Sequence, residues 1–98
     1  MDQKKKEISE MNLQEIRGEI DQADSAIKEA FLHRMQLVDR VAEIKSENGD
    51  PIYNPEREAA IVRRLTEGVD PQFISEYEEF IRSLLRISRS YQQKKLGD

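Results

Sequence analysis

Residues 11–46, MNLQEIRGEIDQADSAIKEAFLHRMQLVDRVAEIKS, contain no proline and a single glycine, and their pattern determines the predicted fold. Apolar residues recur in this stretch at gaps of three and four, the spacing of one face of an amphipathic α-helix. They are Leu13, Ile16, Ile20, Ala23, Ile27, Phe31, Leu37 or Val38, Val41 and Ile44. Such a helix would run roughly 50 Å, longer than a compact chain of 98 residues can cover. The apolar stripe therefore predicts a second chain and a dimer.

A second helix is expected after the turn ENGDP at residues 47–51. Asn54 followed by Pro55 has the pattern of an N-cap with proline at the first helical position. We expect this helix to reach about Glu67 and to be closed by Gly68. Its inward-facing residues should be Ile61, Val62 and Leu65.

A third helix is predicted to open at Asp70 and Pro71, where the pattern of a cap followed by proline is repeated. Its expected apolar face is formed by Phe73, Tyr77, Phe80, Ile81, Leu84 and Ile87, and continues towards Tyr91. Residues 1–10 should be a flexible tail, and residues 94–98 should fray. The expected fold class is therefore all-α, with three helices in one domain over residues 11–95.

Composition excludes several classes of function. Basic residues number 16 against 20 acidic ones, which argues against a general phosphate-backbone binder. The chain has no cysteine and a single histidine, His33, so a disulfide, a thiolate nucleophile or a zinc site is not expected. The N-terminus lacks the apolar segment of a secretory signal, and no apolar run approaches a membrane span. A soluble cytoplasmic protein without a membrane partner is the expectation.

Several polar residues fall on apolar faces. Arg34 follows Phe31 in the stripe of the long helix, and Lys45 lies almost three turns further on the same face, with the two Cα atoms about 16 Å apart. Their side chains could flank a small dianion. Arg17 would lie about 25 Å from Arg34 along one straight helix, so it could reach the same ligand only from the other chain of an antiparallel dimer.

Four further residues extend this set. Arg57 and Glu58 lie in the first turn of the second helix, and Ser88 and Gln92 lie four apart on the third. A serine and a glutamine that point into a core need hydrogen-bond partners, and a polar ligand is one candidate. The alternative is structural: ion pairs with glutamates of a neighbouring helix, surface charges, and bonds to backbone carbonyls or water. The residues alone leave both readings open.

Four segments in order, LQEIRGEID, HRMQLVDRVAEIK, IYNPEREAAIVRRL and SRSYQQ, resemble the all-helical chorismate mutases. The resemblance runs from about Leu13 to Gln93. It implies an intertwined all-α homodimer with three helices per chain. It also implies an isomerase of the shikimate pathway that rearranges chorismate to prephenate for aromatic amino-acid biosynthesis, with no cofactor and no metal.

The resemblance implies a role for each cation. Arg34, Arg57 and Lys45 match positions that hold the two carboxylates of the substrate chorismate. Arg17 matches a residue that the partner chain donates across the dimer interface.

The remaining matched positions surround the reacting bond and the ring hydroxyl. Lys45 and Gln92 match the pair that contacts the ether oxygen, and Glu58 matches the carboxylate that accepts from the hydroxyl. Ser88 matches a small polar residue near a substrate carboxylate. Asn54 stands at a substrate-binding position where the family often has an acid, so a charge is lost at the hydroxyl end of the site.

Two other readings remain open from the sequence. An isochorismate-pyruvate lyase shares this fold and a similar anionic pocket, and the spacing of the residues does not separate it from a mutase. A non-catalytic helical dimerisation module would leave the cations without a purpose. A nucleic-acid binder is disfavoured by the acidic balance and the few aromatic residues.

Overall fold

The computed structural model describes the backbone of residues 2–97 and the side chains of residues 12–97. It consists of three α-helices, α1 (Asp2–Asn48), α2 (Pro55–Thr66) and α3 (Ile74–Lys95), and the described backbone contains no strand. The predicted all-α fold with a long first helix is confirmed. α1 begins at Asp2, nine residues before the start predicted at Met11. The flexibility of residues 1–10 and the domain boundary expected after them stay predictions.

The chain divides into two compact units, one up to Arg34 and one from Met35 onward. In the first unit, no side chain between residues 12 and 34 is buried. Its large aliphatic residues are between 45% and 51% exposed: Leu13, Ile16, Ile20, Ile27 and Leu32. The described part of this unit therefore has an apolar stripe and no core of its own.

The second unit has a core between α2 and α3. Four buried residues form it, Ile61, Val62, Ile81 and Leu85, and three half-buried ones pack against them, Leu65, Tyr77 and Leu84. The inward face predicted for α2 is thus confirmed. Val38 and Ala42, near the C-terminal end of α1, are also buried.

The buried face of α3 differs in part from the predicted one. Phe73, Phe80, Ile87 and Tyr91, which were expected on it, are exposed in the single chain. The residues that are buried follow one another at gaps of three and four, Ile81, Leu85, Ser88 and Gln92. This row is one helical face, and its C-terminal half is polar, which is why apolar spacing alone did not trace it.

Glycine and capping residues set the ends of α1 and α2. Gly49 has a φ of +73°, its N–H donates to the Ser46 carbonyl, and the Asp50 N–H donates to the Lys45 carbonyl. This pair of bonds is a Schellman motif, which satisfies carbonyls left over at the helix end. At the start of α2, the Asn54 Oδ1 accepts from the Arg57 N–H at 3.0 Å, as the predicted cap requires.

The predicted start of α3 at Asp70 and Pro71 was wrong. The Asp70 Oδ1 accepts from the Gln72 N–H at 2.9 Å, and its carbonyl accepts from the Phe73 N–H at 2.8 Å. Aspartate and proline here make a tight turn, a structure that these residues favour as strongly as a cap, and the helix begins at Ile74. Over the described residues, none of the three helices has an apolar stretch long enough to cross a membrane.

Candidate active site

The predicted site residues are divided between the two units. Arg17, which is exposed, and Arg34, which is partly exposed, belong to the first unit. The second unit contains the others, Lys45, Asn54, Arg57, Glu58, Ser88 and Gln92. One compact unit therefore contains the residues matched to the ether oxygen and to the ring hydroxyl.

Lys45 is a half-buried cation at the last turn of α1. Its Nζ donates to the backbone carbonyl of Ile52, in the link between α1 and α2, at 2.7 Å. Among the described residues no carboxylate forms an ion pair with Lys45. An ammonium has three donors, and a single carbonyl leaves two N–H groups and the full charge for another acceptor.

Ser88 and Gln92 are buried polar residues on α3, with 5% and 6% of their surfaces exposed. The Ser88 Oγ donates to the Leu84 carbonyl at 2.9 Å, and the Gln92 Nε2 donates to the Ser88 carbonyl at 3.3 Å. The Ser88 hydroxyl and the Gln92 amide N–H thus donate to backbone carbonyls, as the structural alternative predicted. Such bonds are local to one helix and give no reason for burying an amide.

The carbonyl oxygen of Gln92 is the exception. Its Oε1 is buried and has no hydrogen-bond partner among the described residues. An unsatisfied buried acceptor costs roughly 1–3 kcal/mol. Rotating the amide by half a turn would not help, because the oxygen would then face the Ser88 carbonyl, another acceptor. The group that completes this amide thus comes from outside the described contacts, as expected for a ligand site.

The first turn of α2 presents Arg57 and Glu58 from a fixed backbone. Asn54 is exposed, and its Oδ1 accepts one hydrogen bond, from the Arg57 N–H, so its NH₂ group and the second lone pair of Oδ1 are open to a ligand. The Glu58 N–H donates to the Asn54 carbonyl at 3.1 Å, the first helical bond. The Arg57 side chain is exposed, whereas Glu58 is half-buried.

Glu58 forms an ion pair that the sequence did not reveal. The Arg89 Nη1 donates to the Glu58 Oε1 at 2.7 Å, and the two side chains are only 30% and 20% exposed. The Arg89 guanidinium also lies over the Tyr53 ring, 4.7 Å from its centroid. The partners are 31 residues apart in the chain, and no local motif predicts such a contact. The one available signal was a basic residue directly after Ser88.

A second set of contacts joins α3 to α1 within the second unit. The Asp39 Oδ1 accepts from the Tyr91 hydroxyl and from the Lys95 Nζ, and Lys95 also binds Glu43 at 3.2 Å. Hydrogen bonds from Lys95 and then Tyr91 hold the pKa of Asp39 below its usual value, and the bond to Asp39 raises the pKa of Lys95. Lys95, expected to fray, is thus the last residue of α3. These contacts anchor the turn that carries Gln92.

An open cavity of about 730 Å³ lies between α2 and α3. Its wall includes Tyr53, Glu58, Val62, Leu85 and Arg89. Of the predicted site residues, Glu58 alone lines it, and neither Lys45 nor Gln92 does. This cavity is therefore not the pocket that was expected around the ether oxygen of the substrate.

Comparison with known proteins gives the family. Residues 16–93 match the family described as chorismate mutase type II. The chain belongs to this family. The matched range contains every predicted site residue, from Arg17 to Gln92. No solved structure matches this chorismate mutase-family chain significantly.

Relatives of this family member include longer proteins. It is 38% identical to the T-protein of Enterobacter agglomerans over 82% of this chain and 22% of that protein. It is 34% identical to a bifunctional chorismate mutase/prephenate dehydratase of Aquifex aeolicus, over 87% of this chain and 26% of that protein. It is 45% identical to a chorismate mutase of Methanocaldococcus jannaschii, over 54% of each chain. The chain thus spans about a quarter of the length of the first two.

Proposed function

We propose that this chain catalyses the rearrangement of chorismate to prephenate in aromatic amino-acid biosynthesis. The observation that carries the proposal is the part-buried ammonium of Lys45, which binds one backbone carbonyl and forms no ion pair with a described carboxylate. Family membership and the buried Gln92 amide, which donates only one of its two N–H groups to a described residue, support it further.

The proposed reaction is intramolecular: a C–O bond breaks as a C–C bond forms, and no nucleophile, proton relay, cofactor or metal takes part. Two things accelerate such a step. The first is holding the substrate in its folded conformer, a positioning effect. The second is preorganised stabilisation of the negative charge that builds on the ether oxygen, where one well-placed donor can be worth ~3 kcal/mol.

Lys45 and Gln92 are the proposed donors to the ether oxygen. Lys45 has two N–H groups beyond the one bound to Ile52, and Gln92 has one N–H beyond that bound to Ser88. Since the amide is neutral over the physiological pH range, its donor is present whatever the protonation of the surroundings.

The other site residues hold the two ends of the substrate in this proposal. Arg34 and Arg57 bind the carboxylates, with Ser88 beside one of them, and Glu58 accepts a hydrogen bond from the ring hydroxyl. Asn54 already accepts one hydrogen bond in the cap of α2, and it provides a neutral amide where an acid is common.

A second copy of the chain is part of the proposal. The exposed aliphatic residues of the first unit recur at helical spacing, and a contiguous exposed apolar stripe of this kind indicates a protein interface. We propose that a homodimer covers it and that Arg17 of the partner subunit completes the site.

The test is to incubate the purified protein with chorismate, follow substrate loss and identify the product. Prephenate is the expected product. Release of pyruvate from isochorismate, with chorismate barely rearranged, would replace the mutase by a lyase. No turnover of either substrate would contradict the proposed activity and leave a helical dimerisation module.

A further inference from the structure

We infer that Arg89 is a positioning residue for the proposed reaction: it holds one oxygen of Glu58 so that the other is presented to the ring hydroxyl of the substrate. This inference rests on the proposed function and extends it to a residue that the resemblance does not assign.

The geometry of the ion pair leaves one carboxylate oxygen open. The Arg89 Nη1 binds the Oε1 of Glu58 at 2.7 Å. Among the described residues, the Oε2 of Glu58 has no hydrogen bond. A carboxylate that is held through one oxygen keeps its orientation, and the second oxygen remains an acceptor for a hydroxyl.

Both members of the pair are themselves fixed. The backbone of Glu58 is set by the capped first turn of α2, where its N–H binds the Asn54 carbonyl. The Arg89 guanidinium lies over the Tyr53 ring, at 4.7 Å from the centroid, a cation–π arrangement that favours one orientation of its plane. Tyr53, Arg89 and Glu58 therefore form a chain of contacts that ends at the open Oε2.

Partial burial makes this pair more than a surface salt bridge. The side chains of Arg89 and Glu58 are 30% and 20% exposed. Those of Arg82 and Glu78, which form an ion pair within α3, are 63% and 45% exposed. Exposed pairs of the second kind contribute little. Arg82 thus provides a matched control: an arginine of the same helix, paired with a glutamate, but largely in solvent.

The experiment compares steady-state kinetics of the wild type with Arg89→Gln, Glu58→Gln, the double variant, Arg89→Lys and Arg82→Gln, after circular dichroism has verified folding. We expect Arg89→Gln to lower kcat/KM about 10- to 100-fold, the scale of a small misplacement of a bound group. Arg82→Gln should match the wild type. Arg89→Lys should recover part of the loss, because lysine keeps the charge but lacks the planar fork.

The double variant decides whether Arg89 acts through Glu58. If it does, Arg89→Gln in the Glu58→Gln background causes no further loss. A further loss of tenfold or more would mean that Arg89 acts on the substrate directly, and would overturn the inference. If Arg89→Gln does not fold, Tyr53→Leu, which removes only the ring beneath the guanidinium, should lower kcat/KM in the same Glu58-dependent way.

A substrate analogue with hydrogen in place of the ring hydroxyl gives an independent readout. Wild type and Arg89→Gln should turn it over equally, because the group that Glu58 would bind is missing. If the wild type turns over chorismate and Arg89→Gln does so equally well, the inference about Arg89 is refuted but the proposed function is not. A wild type that does not turn over chorismate would refute the proposed function, and this inference with it.

Discussion

The stretches of chain on either side of Arg34 differ in what they bury. From Met35 onward, the core of α2 and α3 is closed by apolar side chains of the same unit. Between residues 12 and 34 there is no buried side chain, although the apolar residues recur with the same helical regularity. The same helical spacing of apolar residues thus occurs on a face that is buried within the chain and on a face that is exposed in the chain alone. Helical spacing therefore shows which face of a helix is apolar, but the packing of the helices decides whether that face is buried.

Placing a charge on the exposed apolar stripe of the first unit should have the largest effect, because this stripe is the proposed dimer interface. Ile20→Asp should weaken dimerisation by roughly 3 kcal/mol or more, since a two-fold interface contains each residue twice. Activity should fall with the dimer. Analytical ultracentrifugation over a concentration series measures this, with Gln22→Asp, an exposed polar position two residues away, as the control. A dimer of unchanged affinity in Ile20→Asp would contradict the assignment of this face.

Removing the ammonium of Lys45, in the second unit, should lower kcat/KM strongly and leave the proposed dimer intact. Lys45→Ala should reduce kcat/KM on the order of 10³-fold, the upper range for loss of one preorganised donor. Lys94→Ala, which removes an exposed lysine of α3, should match the wild type. Near-normal turnover in a folded Lys45→Ala dimer would exclude Lys45 from the ether-oxygen role.

Gln92→Met separates catalysis from stability. The substitution keeps the length of the side chain and removes the unpartnered Oε1, so thermal stability should be unchanged or raised while kcat/KM falls about 10²-fold. Gln93→Met, at the exposed neighbouring position, should change neither. A clear loss of stability in Gln92→Met would mean that the amide is a structural group whose partner lies in the dimer.

The smallest effect is expected at the contact between α1 and α3. Because the pKa of Asp39 is lowered in the folded state, its interaction stabilises the protein above the usual value of 3.8 and is lost as the pH falls through the lower folded pKa. Asp39→Asn should therefore melt at a slightly lower temperature at neutral pH, and the gap should close in acid below pH 3.8. A gap that stays constant down to that acid range would show that the contact contributes through packing rather than charge.

Much of the fold could be predicted from local sequence. A single long first helix, the cap at Asn54 and the inward face of α2 depend on neighbours three or four residues away, and all three predictions were confirmed. The start of α3 was missed because Asp70 and Pro71 suit a turn as well as a cap, and only the path of the chain decides between them.

The site was less accessible from the sequence. Polar residues on apolar faces pointed correctly to the buried Ser88 and Gln92. The pairing of Glu58 with Arg89, and that of Asp39 with Tyr91 and Lys95, join residues of different helices. Such pairs depend on how one helix packs against another, and the spacing of residues within one helix does not predict this. The roles assigned to the individual site residues remain predictions.

The most direct test of a site shared between two chains is to mix two inactive variants. Arg17→Ala and Arg34→Ala should each be a poor enzyme alone. If Arg17 acts across the interface, random exchange of subunits regenerates one intact site in each mixed dimer, or about a quarter of all sites. Recovery of activity to that level is the predicted result. No recovery in mixed dimers verified by mass spectrometry would contradict the claim that two chains complete one site.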